Sequence, residues 1–288
     1  MDKINDEIYD LYDEYCHGQI DRRQFFERAA AVTVTGVAMA SALLPNYADA
    51  QEVLFTDERI KANWVTYASP GGNSGEMRGY LVQPAGEGPF PTVLVMHENR
   101  GLNPYIQDVA RRAAVAGFLA LAPDGLAPLG GYPGNDDDGR AMQRSLDHAK
   151  LQQDMLNSAH FVRTHELSNG KLGATGFCWG GGPTNFLATE MGEELAAGAP
   201  FYGRAADTDK VGDIRAALLV HYAEDDERVN AMRADFESAL KAHKVRYEMH
   251  TYPDTRHGFH NYSTPRYNAE AASLAWNRTM AFFHEHLD

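Results

Sequence analysis

The pentapeptide Gly176-Phe177-Cys178-Trp179-Gly180 limits this chain more than any other feature, because it sets a nucleophilic side chain between glycines at a change of secondary structure. Lys171 to Thr175 reads as a short buried strand and Gly180 to Met191 as a helix, so Cys178 falls on a sharp strand-to-helix turn. Flanking glycines let the backbone take a strained conformation and approach its neighbours closely, which pushes the sulfur out above a sheet. Taken alone, the same residues also suit a buried structural cysteine beside a glycine-rich helix start.

The polar residues downstream favour the nucleophile. Ala217 to Tyr222 is a strand-like run that passes straight into Ala223-Glu224-Asp225-Asp226-Glu227-Arg228-Val229, leaving an acid just past a strand end. Arg246 to Tyr252 alternates like a further strand and delivers Pro253-Asp254-Thr255-Arg256-His257-Gly258-Phe259-His260, with His257 as the candidate base. Nucleophile, then acid, then histidine is the chain order of α/β-hydrolases, and catalytic groups of open parallel sheets gather at the carboxyl ends of strands.

On these residues, and on His97-Glu98-Asn99-Arg100-Gly101 after the first long core strand, the chain resembles the dienelactone hydrolases (carboxymethylenebutenolidases) from about Thr66 to Leu287. The resemblance implies an α/β-hydrolase fold, a triad of Cys178, His257 and Asp226, and a glutamate matching Glu98 that interacts with the thiol in the resting enzyme. It also exposes a departure. Family members that process a carboxylated lactone hold its carboxylate with two arginines, and the matching positions here are Pro128 and Asn261. Uncharged short-chain esters or lactones are therefore the expected substrates, with Arg100, Arg204 or Arg256 as the cations that could compensate. Tyr202, at another strand end, is a further candidate for the substrate wall.

Each residue type suits its place. A thiol is a strong nucleophile only as thiolate, and a histidine in hydrogen-bond reach can take its proton and later hand it to the leaving alkoxide. An aspartate fixes the imidazole tautomer and stabilises its charged form. The backbone N–H groups of Trp179 and Asn99 are the expected oxyanion donors. Glu98 can compete for the imidazole or hold the thiol protonated; it can equally pair with Arg100 or Arg112. Arg100 can bridge Glu98 or meet a substrate anion. The expected chemistry is hydrolysis of an ester or lactone through a thioacyl-enzyme, without a cofactor. Thioesterase or acyl-transferase use of the same triad is the alternative, and thiol redox or non-catalytic binding the more distant ones.

Other residues receive plainer readings. His257 and His260 form an i, i+3 pair, but the glycine between them and the lack of a third ligand argue against a metal. Asp136-Asp137-Asp138-Gly139 lacks the spacing of a calcium loop and reads as a helix start capped by Asn135 or Asp136. Cys16 lies far upstream in a polar segment, so no disulfide to Cys178 is expected. A net charge of −14 disfavours nucleic acid and anionic membrane surfaces as partners, leaving a small-molecule ester or lactone.

Strand-like segments at 64–68, 77–83, 92–97, 118–122, 172–175, 198–202, 218–222 and 247–252 alternate with helical ones at 105–116, 139–165, 181–194, 229–244 and 267–286. That succession predicts a doubly wound, mostly parallel α/β sheet with an antiparallel start, in one domain over residues 51–288. Trp276, Met280 and Phe283 recur at helical spacing and read as core contacts.

Residues 1–50 differ in kind. Asp21-Arg22-Arg23-Gln24-Phe25-Phe26 precedes an uncharged apolar run from Ala29 to Leu44, and Ala48-Asp49-Ala50 ends it as a peptidase site would. That pattern resembles a twin-arginine export signal, which implies a periplasmic or exported enzyme with no membrane span after processing. The long acidic start departs from such signals. Tyr9, Tyr12, Tyr15 and Phe26 suit instead an amphipathic helical extension that stays attached and packs on the domain of a cytoplasmic protein.

Overall fold

The computed structural model describes residues 4–33, 35–44, 51–73 and 75–288. Its chain opens with helices α1 (Asp6–Cys16), α2 (Arg22–Val32) and α3 (Gly36–Ala42). The main domain follows as β1 (Ile60–Ser69), β2 (Gly75–Pro84), β3 (Phe90–Met96), α4 (Pro104–Val115), β4 (Leu119–Pro123), α5 (Asp136–Ser145), α6 (His148–Arg163), β5 (Ser168–Phe177), α7 (Gly181–Glu190), β6 (Ala197–Phe201), β7 (Ala217–Asp225), α8 (Glu227–Asn230), α9 (Arg233–Ala242), β8 (Tyr247–Arg256) and α10 (Ala269–Leu287).

The eight strands form one sheet in the order β1-β2-β4-β3-β5-β6-β7-β8. β2 pairs antiparallel with β1 and β4, and every pairing from β4 through β8 is parallel. All eight expected strands are present, and the antiparallel start is where the alternation placed it.

Short parallel strands buried on both faces need helices on both. Ile106, Val109 and Ala113 of α4 and Ala275, Trp276 and Phe283 of α10 close one core. Leu151, Met155 and Ala159 of α6, Leu187 of α7 and Phe236 and Leu240 of α9 close the other. Each fully buried Leu, Ile or Phe in these layers contributes about 1.5–3 kcal/mol.

Two expected helices are divided. The periodic stretch 139–165 breaks at Leu146-Asp147, because Asp147 turns its side chain onto the N–H groups of Ala149 (2.9 Å) and Lys150 (3.1 Å) and starts a new helix. The stretch 229–244 likewise splits into α8 and α9. Asn135, rather than Asp136, caps α5 by accepting from Asp138 N at 2.9 Å.

The N-terminal helices carry their own small core. Ile8, Leu11, Tyr12, Tyr15, Phe25, Ala29, Ala40 and Leu43 bury one another, and Asp21 begins α2 with a capping box to Gln24. Most of the described part of the apolar run therefore lies in helices α2 and α3, which pack on each other. No helix among the described residues is long and apolar enough to cross a membrane. Ala48-Asp49-Ala50, the expected cleavage site, lies outside the described residues.

The unit docks through charge and aromatic faces. Asp6 and Asp10 meet Arg256 at 3.1 and 3.4 Å, Asp13 meets Arg266 at 3.3 Å, and Arg22 meets Asp137 at 2.8 Å. The guanidinium groups of Arg256, Arg266 and Arg140 lie over the rings of Tyr9, Tyr12 and Tyr15. The acidic start that is foreign to a signal sequence here covers a basic surface.

Candidate active site

The carboxyl ends of β5, β6, β7 and β8 deliver Cys178, Tyr202, Asp226 and His257 in turn, each one residue past its strand. Cys178 has φ 55°, a left-handed conformation that a non-glycine residue holds only when its surroundings impose it. The flanking glycines let those surroundings close in. A side chain at Gly176 would meet Gly180 O at 2.2 Å, and one at Gly180 would meet the carbonyls of His97 and Met96 at 2.6 Å.

Asp226 is fixed by two duties. Its Oδ1 accepts from Val229 N at 3.2 Å, capping α8, and its Oδ2 takes His257 Nδ1 at 2.6 Å. With Nδ1–H donated to the carboxylate, His257 Nε2 is left for the sulfur and has no hydrogen-bond partner among the described residues. Burial pushes the Asp226 carboxyl up, but the His257 charge and these hydrogen bonds more than offset it and hold the group below the usual range.

Burial likewise disfavours an ionised Cys178, yet the charge of His257 and hydrogen bonds from His17 and His257 outweigh it and carry the thiol well below its ordinary value. Burial would also lower His257, but the Cys178 thiolate and Asp226 raise it to about 10. The two shifts favour a charge-separated sulfur and imidazole, the state in which a thiol is nucleophilic.

His17 is the residue that sequence reasoning missed. It stands just past α1, and among the described residues it forms with Cys178 and His257 a group whose nitrogen, sulfur and nitrogen atoms lie within 4.8 Å of one another. Such a set has the donor chemistry to hold a thiophilic divalent cation, a grouping that the argument against a His257–His260 site did not reach. His260 itself turns away, its Nδ1 2.6 Å from the Tyr105 hydroxyl. Cys16, read as remote, sits at the same place. Its carbonyl accepts from Asn99 Nδ2 at 2.6 Å, while its thiol and that of Cys178 are both free.

Glu98 is buried and held by Arg100 at 2.8 Å and Asn261 Nδ2 at 3.0 Å. Burial raises its pKa, with Arg100 opposing and the nearby Cys178 charge reinforcing. Arg100 continues to Asp136 at 2.6 Å and is itself buried, so it belongs to an internal network rather than to the substrate wall. Arg112 pairs with Glu52 instead. His97 serves the loop: it lies 2.6 Å from Glu98 O through Nδ1, accepts from Gly125 N at 3.1 Å and stacks on Trp179.

A cavity of about 750 Å³ opens over Cys178. Asn99, Trp179, Tyr202 and His17 line it near the sulfur. The Tyr202 hydroxyl is buried and has no hydrogen-bond partner among the described residues, and its ring lies 5.1 Å from that of His257. Farther out, among the described residues, the lining carries Arg144, Arg204, Lys210 and Arg228 against one acid, Asp207, with Lys210 held by Glu190 at 2.7 Å. Arg204 is mostly exposed, 3.5 Å from Asp207, whereas Arg256 is taken by Asp6, Asp10 and Asp225. Of the three cations that could compensate for Pro128 and Asn261, Arg204 lines this cavity, while Arg100 and Arg256 are engaged elsewhere.

A model of the dienelactone hydrolase family matches residues 77–287, and a second, described as YqhI-like, matches residues 2–33. An Escherichia coli K12 protein named as a hydrolase fragment, YghX, is 60% identical over 115 residues, which are 40% of this chain and 97% of that one. A Methylorubrum extorquens protein named as a carboxymethylenebutenolidase is 30% identical over 227 residues, 74% of this chain and 78% of its own. A solved Klebsiella pneumoniae structure described as a dienelactone hydrolase superposes with a TM-score of 0.66 at 26% identity, covering 78% of this chain and all 100% of that one. With the family model spanning well over half its length, the chain belongs to the dienelactone hydrolase family and is a hydrolase of carboxylic esters or lactones.

Proposed function

We propose that the enzyme works through a thioacyl intermediate on Cys178, with His257 as acid and base and Asp226 as the group that orients it. The observation that carries this reading is the strained Cys178 turn facing an imidazole whose other nitrogen lies 2.6 Å from Asp226. The thiolate attacks the carbonyl carbon, and the π pair moves onto oxygen, toward the N–H groups of Trp179 and Asn99. Collapse breaks the C–O bond, and the departing alkoxide takes its proton from His257. In a lactone the new hydroxyl stays on the acyl group. Water then attacks the thioacyl carbon and gives a proton to His257, the C–S bond breaks, and the thiolate–imidazolium pair returns as the acid is released.

The outer cations Arg144, Arg204 and Arg228 support substrates with a carboxylate remote from the reacting carbonyl. Each charge-assisted contact of that kind is worth about 1.5–3 kcal/mol.

Steady-state kinetics on a panel of lactones, aryl esters and acyl thioesters, with and without a carboxylate, tests both parts. Cys178→Ala and His257→Ala should each lower turnover on the order of 10³-fold or more. Near-normal turnover in either variant overturns the triad assignment. Equal kcat/KM for a carboxylated lactone and its neutral counterpart overturns the role of the cations.

A further inference from the structure

We infer that His17, brought in by the N-terminal helices, is a catalytic residue that hydrogen-bonds the Cys178 sulfur and holds it as thiolate, both before attack and when it leaves the thioacyl carbon. The inference rests on the thioacyl reading above.

Four features of the structure argue for it. The His17 ring meets that of His257 edge to face with centroids 5.0 Å apart, and a nitrogen of each lies within 4.8 Å of the Cys178 sulfur. His17 is oriented as an active-site histidine is: Nδ1 lies 2.8 Å from Asp13 O and 3.3 Å from its carboxylate, and Asp13 is anchored in turn by Arg266. The helix that carries it is fixed on the domain by the Arg256, Arg266 and Asn99 contacts, which fall within a few residues of His17 along α1. Finally, the 750 Å³ cavity remains beside Cys178 with the helices docked, and His17 lines it; the extension is a wall of the site and not a plug.

The charges facing His17 explain how it works. Burial alone would lower its pKa, but the hydrogen bonds to Asp13 and to Cys178 raise it to about 9. Arg228 approaches Nε2 to 2.7 Å, a contact in which only a neutral ring can accept. The thiol's own proton goes to His257; His17 takes its second proton from solvent water, its Nε2 changes from acceptor to donor toward the thiolate, and the guanidinium gives way. His257 is then free to shuttle the proton of alkoxide and water while His17 keeps its own. Negative charge returning to sulfur as the C–S bond breaks meets a hydrogen-bond donor that is already in place.

The test uses the full-length protein with His17→Phe and His17→Ala, neither of which keeps a donor at this position. The rate of iodoacetamide alkylation of Cys178 is followed against pH, alongside kcat and KM for a lactone. Loss of the donor should move the alkylation profile to higher pH and lower kcat on the order of 10²-fold with a smaller change in KM. Circular dichroism and tryptic resistance of residues 1–44 establish that the helices remain docked in at least one variant. A docked variant of either kind with an unchanged alkylation profile and kcat overturns the inference. Cys178→Ala distinguishes the two readings: if it keeps activity the thioacyl mechanism itself falls, whereas if it is inert and the docked His17 variant is normal, only His17 is misassigned.

Discussion

His17 and His257 stand 240 residues apart in the numbering and meet edge to face at 5.0 Å over one cysteine. Their shared anion sets a characteristic pH response. His257 is raised to about 10 and His17 to about 9, so each binds its proton more tightly folded than unfolded. Their contribution to stability is complete below the unfolded histidine value of about 6.5 and is lost as pH rises through 9 to 10. Cys178 is depressed, so its contribution has the opposite sign and is lost as pH falls through the folded thiol value. Between about 6.5 and 8.5 the folded site holds more protons than the same groups unfolded, and stability should decline with rising pH. Urea midpoints of wild type at pH 6.5 and 9 check this against His257→Gln. The variant should show a smaller decline, and an equal one would contradict the charged pair.

Glu98 makes a different prediction from the one its place in the family implies. Its carboxylate is occupied by Arg100 and Asn261, and Arg100 bridges on to Asp136, so the charge is already balanced inside the domain. Glu98→Gln should therefore leave the alkylation profile of Cys178 nearly unchanged. It should destabilise the fold by about 1–3 kcal/mol, because a buried guanidinium loses one charged partner. Alkylation and urea unfolding measured on the same variant separate the two roles. A faster thiol with unaltered stability would show that Glu98 restrains the nucleophile.

What the sequence revealed and what it concealed divide along physical lines. Strands β5 and β7 carry apolar runs to Cys178 and Asp226, and the alternation of β8 leads on to His257, so these candidate residues were legible from local pattern and chain order. The break at Asp147 was concealed because buried Arg140, Gln143 and Leu146 before it and Leu151, Asp154 and Met155 after it recur at near-helical spacing, and only the cap reveals the change. Arg100 was ambiguous for another reason: a guanidinium in a loop has many acids to choose from, and Asp136 joined it from 36 positions away. His17 had no motif at all. Its neighbours offered the one usable signal, the tyrosines and aspartates of α1 recurring at helical spacing, which marked a helix with a surface to dock on but not the identity of that surface.

The two readings of the N-terminus now predict different proteins. Cleavage after Ala50 would remove α1 to α3 and with them His17, the Asn99–Cys16 contact and the ion pairs of Arg256 and Arg266. Arg22 and Arg23, the pair that suggested export, lie in α2, where Arg22 meets Asp137 of the domain and Arg23 meets Glu27. A family model also covers residues 2–33 as a unit, across both arginines and the start of the apolar run. We expect the native host to retain the segment, so intact-mass spectrometry of the purified enzyme should give a chain that includes His17. Replacing Arg22 and Arg23 by lysine should leave its cellular location unchanged and cost little stability, since both pairs are largely exposed. A mature chain beginning near Gln51 with full activity would restore the export reading and remove His17 from the mechanism in one observation.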